Sequence, residues 1–336
     1  VITEVVVGEV PSSADVGDEN SLITPGFIDA HLHLPQFDMI GAHGLPLLKW
    51  LTEVAFPAEL RWSDEQHAAG MTRRVLDQLL SVGTTGICAY ATVHHRAARA
   101  AIAEAQACGL RGVIGQVLMD REAPEPLCRP ASELLDEAAS LAVDCPSGER
   151  IATAITPRFA VSCSETLLAG AGRLAREHPL LVQTHLAETI DEARWVARLF
   201  DGRSYAEVYG DAGLLGSRTV LGHGIHLADR DRDLLCESGS IVAHCPTANS
   251  FLRSGTMNRA ELLGSGVHVA LGSDIGAGYE RSMVRVARAM IEAASRLGDT
   301  HPQAATAWRA ITAGNADLLG WSDAGRIQVG ATADLL

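Results

Sequence analysis

The chain has 336 residues, 47% of them hydrophobic, enough to bury a large core in one big domain or in a barrel with a small appendage. Its net charge of −14 is dispersed without acidic blocks, which disfavours nucleic-acid polymers and anionic membrane surfaces as partners. Lys49 is the single lysine, so no GxxxxGK phosphate loop exists, and no serine lies in a GxSxG frame.

From about residue 23 to residue 320, short β-branched or apolar runs alternate with longer stretches of helical period rich in Ala, Leu, Arg and Glu. The expected strands are Leu22 to Ile28, Thr84 to Ala89, Leu110 to Val117, Ile151 to Thr156, Leu180 to Gln183, Thr219 to Leu221, Ser240 to Ala243 and Val267 to Leu271. Between the first strands, Ser63 to Ser81 reads as a helix with Ser63 and Gln66 as a capping box, and Ala97 to Cys108 as a helix closed by Gly109. Eight such units suggest a (β/α)₈ barrel spanning residues 23–324, although a doubly wound open sheet would give a similar string and the pattern alone leaves that choice open. Thr3 to Val10 alternates like a strand and Gly325 to Leu336 like a turn into another. Residues 1–22 and 325–336 are therefore expected to form a small β-sandwich portion, and the missing initial Met and abrupt end make the chain read as trimmed. No run approaches the ~20 apolar residues of a membrane span, and no signal peptide is visible. With seven scattered cysteines and no CxxC pair, the expected setting is the cytoplasm with all thiols reduced.

The chemistry lies at the ends of the expected strands. His31 and His33 are two apart after the first, so on extended backbone both rings project to one side. His185 ends the fifth, His223 the sixth, and Asp274 follows the eighth. In a barrel these ends converge on one face, and three of these imidazoles with the one carboxylate make an N/O metal site of the catalytic type, with zinc as the expected ion. Glu188, three residues after His185, can point beside the metal. Arg158 and Phe159 leave the fourth strand and offer either a cation and an aromatic face for a flat heterocycle or an ordinary ion pair and core ring. Among the other histidines, His226 and His244 are the two that could touch the site. DIGAGYE lacks the full GxGxxG spacing and reads as a flexible loop.

The blocks PGFIDAHLHLPQ (25–36), LLKWLTEVAFPAE (47–59), TPRFAVSCS (156–164), QTHLAE (183–188), LGHGIHL (221–227), AHCPTANSFLRSG (243–255) and LGSDIGAGYERSM (271–283) resemble the guanine deaminase branch of the amidohydrolase superfamily. The resemblance implies a distorted (β/α)₈ barrel holding one zinc per chain, with Fe2+ as the second candidate. His31, His33, His185 and Asp274 would be its ligands. His223 would be close enough to count as a further ligand, and is read here as orienting the water. It also implies that Gln36 and Arg158 hold the polar edge of guanine, that Phe159 lines its ring, and that Leu48 and Trp50 close a pocket also bounded by His33, His185, Glu188 and Asp274. Glu188, Asp274 and His223 would carry the catalysis, and a homodimer is the expected assembly. The alternatives are a sister deaminase acting on another purine, an adenosine-like nucleoside or a triazine, and a non-catalytic purine sensor. The sequence departs from the pattern at Ala248, Arg253, Glu280 and Arg281.

Overall fold

The computed structural model describes residues 1–6, 8, 15–42, 44–298 and 302–336. Eight parallel strands follow one another around a single sheet: β1 (Phe27–His33), β2 (Thr84–Tyr90), β3 (Arg111–Gly115), β4 (Ile151–Pro157), β5 (Leu181–Leu186), β6 (Thr219–His223), β7 (Ile241–His244) and β8 (His268–Leu271). A two-residue piece, Val117–Leu118, extends β3 and pairs with Thr156 and Pro157. Strand order equals chain order, and every neighbouring pair is parallel, as right-handed crossovers through helices require. The strands are buried on both faces, so they read in the sequence as apolar runs without alternation.

The open-sheet alternative is removed by the contacts between the last and first strands. Just beyond β8, the Asp274 N–H donates to the His31 carbonyl at 2.8 Å, and the His33 N–H donates to the Ile275 carbonyl at 2.5 Å. Asn315, fully buried on the short helix Asn315–Leu318, staples the same seam from outside. Its amide NH2 donates to the carbonyls of Ile28 (2.8 Å) and Leu271 (2.7 Å), and its Oδ1 accepts from the Leu271 N–H (3.0 Å). Asp29 adds a third tie, accepting from the Ser273 and His31 N–H groups and from the Ser273 hydroxyl. Burial pushes the Asp29 carboxyl up to about 6 against the pull of those bonds. The result is a nearly closed (β/α)₈ barrel.

Several expected boundaries move. β1 starts at Phe27 rather than Leu22, because Pro25 and Gly26 lie in a segment that instead bonds the C-terminal end: Thr24 and Leu336 exchange both backbone bonds. The first long helix is Glu65–Leu80, and its cap is Asp64, not Ser63, accepting from the N–H groups of Gln66 (2.9 Å) and His67 (3.2 Å). The next begins at His95 and ends at Cys108 with Gly109 at φ 77°. The expected strand Thr3 to Val10 lies partly outside the described residues; Ile2 bonds Gly330 and Ala331 through its backbone. All seven cysteines are unpaired. No helix among the described residues is long and apolar enough to cross a membrane.

Candidate active site

The histidines stand inside the strand ends rather than after them. His31 and His33 are the fifth and last residues of β1, His185 is the penultimate residue of β5, and His223 ends β6. Their neighbours make room: a Cβ on Gly222 or Gly272 would come within 2.7 Å of the His31 side chain, so only glycine lets the ring sit at the barrel axis. Ala187, His223 and Asp274 all adopt positive φ (42°, 72° and 51°), backbone strain concentrated where chain direction must re-aim a side chain.

His31, His33, His185 and Asp274 bring one ligand atom each within 4.8 Å of one another. Asp274 Oδ1 lies 3.4 Å from Nε2 of both His31 and His33, and the Nε2 atoms of His33 and His185 are 3.0 Å apart. Bonds of about 2.0 to 2.1 Å to a tetrahedral ion require ligand atoms about 3.4 Å apart, so these spacings fit. The chemistry of the donors fits as well. His185 gives its Nδ1 proton to the Arg158 carbonyl (2.6 Å), which leaves an unprotonated Nε2 facing His33. Both nitrogens of His31 are buried without a hydrogen-bond partner among the described residues. Burial first, then the neighbouring imidazoles, hold His33 and His185 well below the usual histidine range, keeping them neutral as ligands must be.

His223 stands apart from this group. Its Nδ1 is 2.8 Å from the Asn249 amide nitrogen, which can only donate, so the ring proton sits on Nε2. That N–H faces Glu188 Oε2 (3.3 Å) and Asp274 Oδ2 (3.8 Å). Burial lowers His223 to about 4, partly countered by Asp274. Burial, with Asp274 and Glu192, drives the Glu188 carboxyl well above the ordinary range, and a hydrogen bond from the Ser254 hydroxyl (2.6 Å) pulls it back. Glu188 is therefore poised to hold a proton.

A cavity opens over these groups. His33, Gln36, Trp50, Arg158, Phe159, His185, Glu188, His223 and Asp274 line it together with apolar Leu47, Leu51, Leu252 and Ala277. Leu48 does not: the helix Leu47–Trp50 turns its neighbours inward and leaves Leu48 on a separate outer groove. His226 and His244 stay out of the cavity as well. His226 bonds the Ser254 carbonyl at 2.7 Å, and His244 is buried without lining the cavity. DIGAGYE is not an open loop, since Ile275 and Ala277 are buried and Gly276 packs against the Gln36 backbone, where a Cβ would lie 2.0 Å from its carbonyl oxygen. Of the departing positions, Arg253 and Arg281 bond Gly44 and Gln78 at the surface, and neither lines the cavity.

Four polar residues escaped the sequence reading. Glu59 bonds Gln36 and Arg158, and Glu192 lines the cavity and accepts from the Glu188 N–H (3.0 Å). Asn249 and Ser254 orient His223 and Glu188.

The model of the amidohydrolase family matches residues 22–336. The chain belongs to that family. Within the amidohydrolases it is similar to the guanine deaminase of Escherichia coli K12, 39% identical over 280 residues, covering 82% of this chain and 64% of that one. The chain thus spans just under two thirds of that relative's length. The solved E. coli guanine deaminase superposes with a TM-score of 0.93 at 36% identity, over 97% of this chain and 76% of that one. Guanine deaminase from C. acetobutylicum, solved with guanine in its active site, gives 0.90 at 28% identity, over 96% and 80%. An adenosine deaminase from Xanthomonas campestris with bound zinc gives 0.83 at 28% identity, over 93% and 71%.

Proposed function

We propose that this amidohydrolase converts guanine and water to xanthine and ammonia, with one zinc per chain and Fe2+ as the second candidate ion. The observation that carries the reading is one cavity lined together by His33, His185 and Asp274 of the metal-ligand group, by Gln36 and Arg158, which can offer an acceptor and a cation, and by Glu188. The similarity to several guanine deaminases supports the same choice.

His31, His33, His185 and Asp274 would hold the ion, which when bound supplies acidity to water, lowering its pKa from 15.7 towards ~7. Phe159 and Trp50 confine the flat ring, and Arg158 and Gln36 orient its edge so that the amino-bearing carbon faces the histidines. Asp274 Oδ2 takes the proton of the attacking water. His223, with its Nε2 proton turned inward, orients that water. Glu188 hands its own proton to the ring nitrogen beside the attacked carbon and then relays the water's proton to the departing amine, which leaves as ammonia.

The cytoplasmic setting, the homodimer and the small terminal β-sandwich belong to the same proposal, the first supported by seven unpaired thiols. The test is turnover: purified protein with stoichiometric zinc should consume guanine by ultraviolet absorbance and release xanthine and ammonia. Consumption of an adenosine-like nucleoside or a triazine with guanine untouched would assign a sister reaction. Tight purine binding with no turnover would make the chain a sensor.

A further inference from the structure

Glu59 is a buried carboxylate, 3% exposed, that does not line the cavity. It sits on the helix Phe56–Leu60, and its Oε1 accepts from Gln36 Nε2 at 2.9 Å. Arg158 Nη1 donates to both of its oxygens, at 2.6 and 2.5 Å. We propose that Glu59 is a positioning residue that fixes the hydrogen-bond polarity of the substrate-recognition end, and thereby selects an oxo over an amino substituent on the purine edge held there. This rests on the deaminase reading above.

A carboxylate paired with a guanidinium accepts and does not donate. The Gln36 amide must therefore turn its NH2 towards Glu59, which fixes Oε1 on the opposite side. That Oε1 is buried and has no partner among the described residues, while Gln36 itself lines the cavity. Arg158 can only donate. The recognition end thus offers one acceptor beside one cationic donor, the complement of a lactam edge, in which a carbonyl oxygen accepts and the adjacent ring N–H donates. An amidine edge carries the opposite pattern, an amino donor beside a bare ring nitrogen, and would set donor against donor and lone pair against lone pair. A buried site built for one pattern rejects the other strongly, because each mismatched group is left unpaired. Were Glu59 neutral and able to donate, the Gln36 amide could turn over and the choice would weaken.

The experiment compares guanine with 2,6-diaminopurine, which has the same amino group at the reacting carbon and differs only at the edge in question. For the parent, kcat/KM should favour guanine by at least about a hundredfold. In Glu59→Gln, which keeps the shape but can donate, that ratio should fall about tenfold or more with metal content unchanged. Gln36→Met should lower it similarly, and Glu59→Gln added to Gln36→Met should lower it no further, since Glu59 acts through Gln36. A ratio that stays at the parent value in Glu59→Gln overturns the proposal. If that variant does not fold, Gln36→Met decides alone: an undiminished ratio there leaves Glu59 nothing to act through. A parent that turns over neither purine defeats the deaminase reading, and the inference with it; a parent active on guanine with unchanged ratios in the variants defeats the inference only.

Discussion

Asn315→Ala tests whether barrel closure rests on the staple at the seam of β1 and β8. The substitution removes three hydrogen bonds, two donated to Ile28 and Leu271 and one accepted from Leu271. At a net ~1 kcal/mol each, they amount to about 3 kcal/mol, and the space left by a fully buried amide raises the loss towards about 5 kcal/mol. Asn315→Asp keeps the acceptor for the Leu271 N–H but sets a carboxylate oxygen against two carbonyl oxygens, so it should be less stable than the alanine variant at neutral pH. The assay is urea unfolding of metal-loaded protein followed by tryptophan fluorescence, comparing midpoints at constant slope. Asn315 does not line the cavity, so turnover of the folded fraction should be retained. A loss below about 1 kcal/mol for Asn315→Ala, or an aspartate variant more stable than the alanine one, would refute the reasoning.

Glu188→Gln should keep the metal and bind guanine within about tenfold while kcat drops by ~10² to 10⁴, because the amide preserves shape but moves no proton; a near-parental kcat would transfer the role to another group. Exhaustive chelation should abolish turnover and lower the thermal midpoint, with both restored by about one equivalent of zinc, whereas full activity in metal-free protein would remove the ion from the reaction. Arg158→Met strands a buried carboxylate and should cost about 3 to 5 kcal/mol in unfolding experiments; Arg158→Met with Glu59→Met should recover most of that stability but not guanine turnover.

The metal-ligand group was legible because its members are chemically unusual for strand ends and each lies where a parallel barrel converges. Closure was not legible, since it depends on Asn315 and Ser273 meeting β1 from more than 240 residues away, and nothing local distinguishes those side chains from surface polar residues. Strand starts were misplaced where burial on both faces erases alternation: Leu22 to Gly26 is as apolar as a strand but carries Pro25 and serves the C-terminal end. Glu59 did carry a signal. It falls in helical register with the buried Leu51, Ala55 and Phe56, an acid on an apolar face, and such an acid needs a cation; only the fold shows that the cation is Arg158, 99 positions on. Asn249 and Glu192 carried none, because what they hold is the orientation of another residue.

Arg158 serves the centre through two unrelated parts. Its carbonyl oxygen receives the His185 ring proton at 2.6 Å and the His185 N–H at 3.2 Å, while its guanidinium reaches away to Glu59. The carbonyl belongs to every amino acid, so the tautomer of His185 is insulated from whatever side chain stands at position 158. In the proposed reaction, ion retention and ring choice are thereby uncoupled at a single residue. Under that reaction, exchanging the Arg158–Glu59–Gln36 set would retarget the cavity to a differently decorated heterocycle without rebuilding the part of the barrel proposed to activate water.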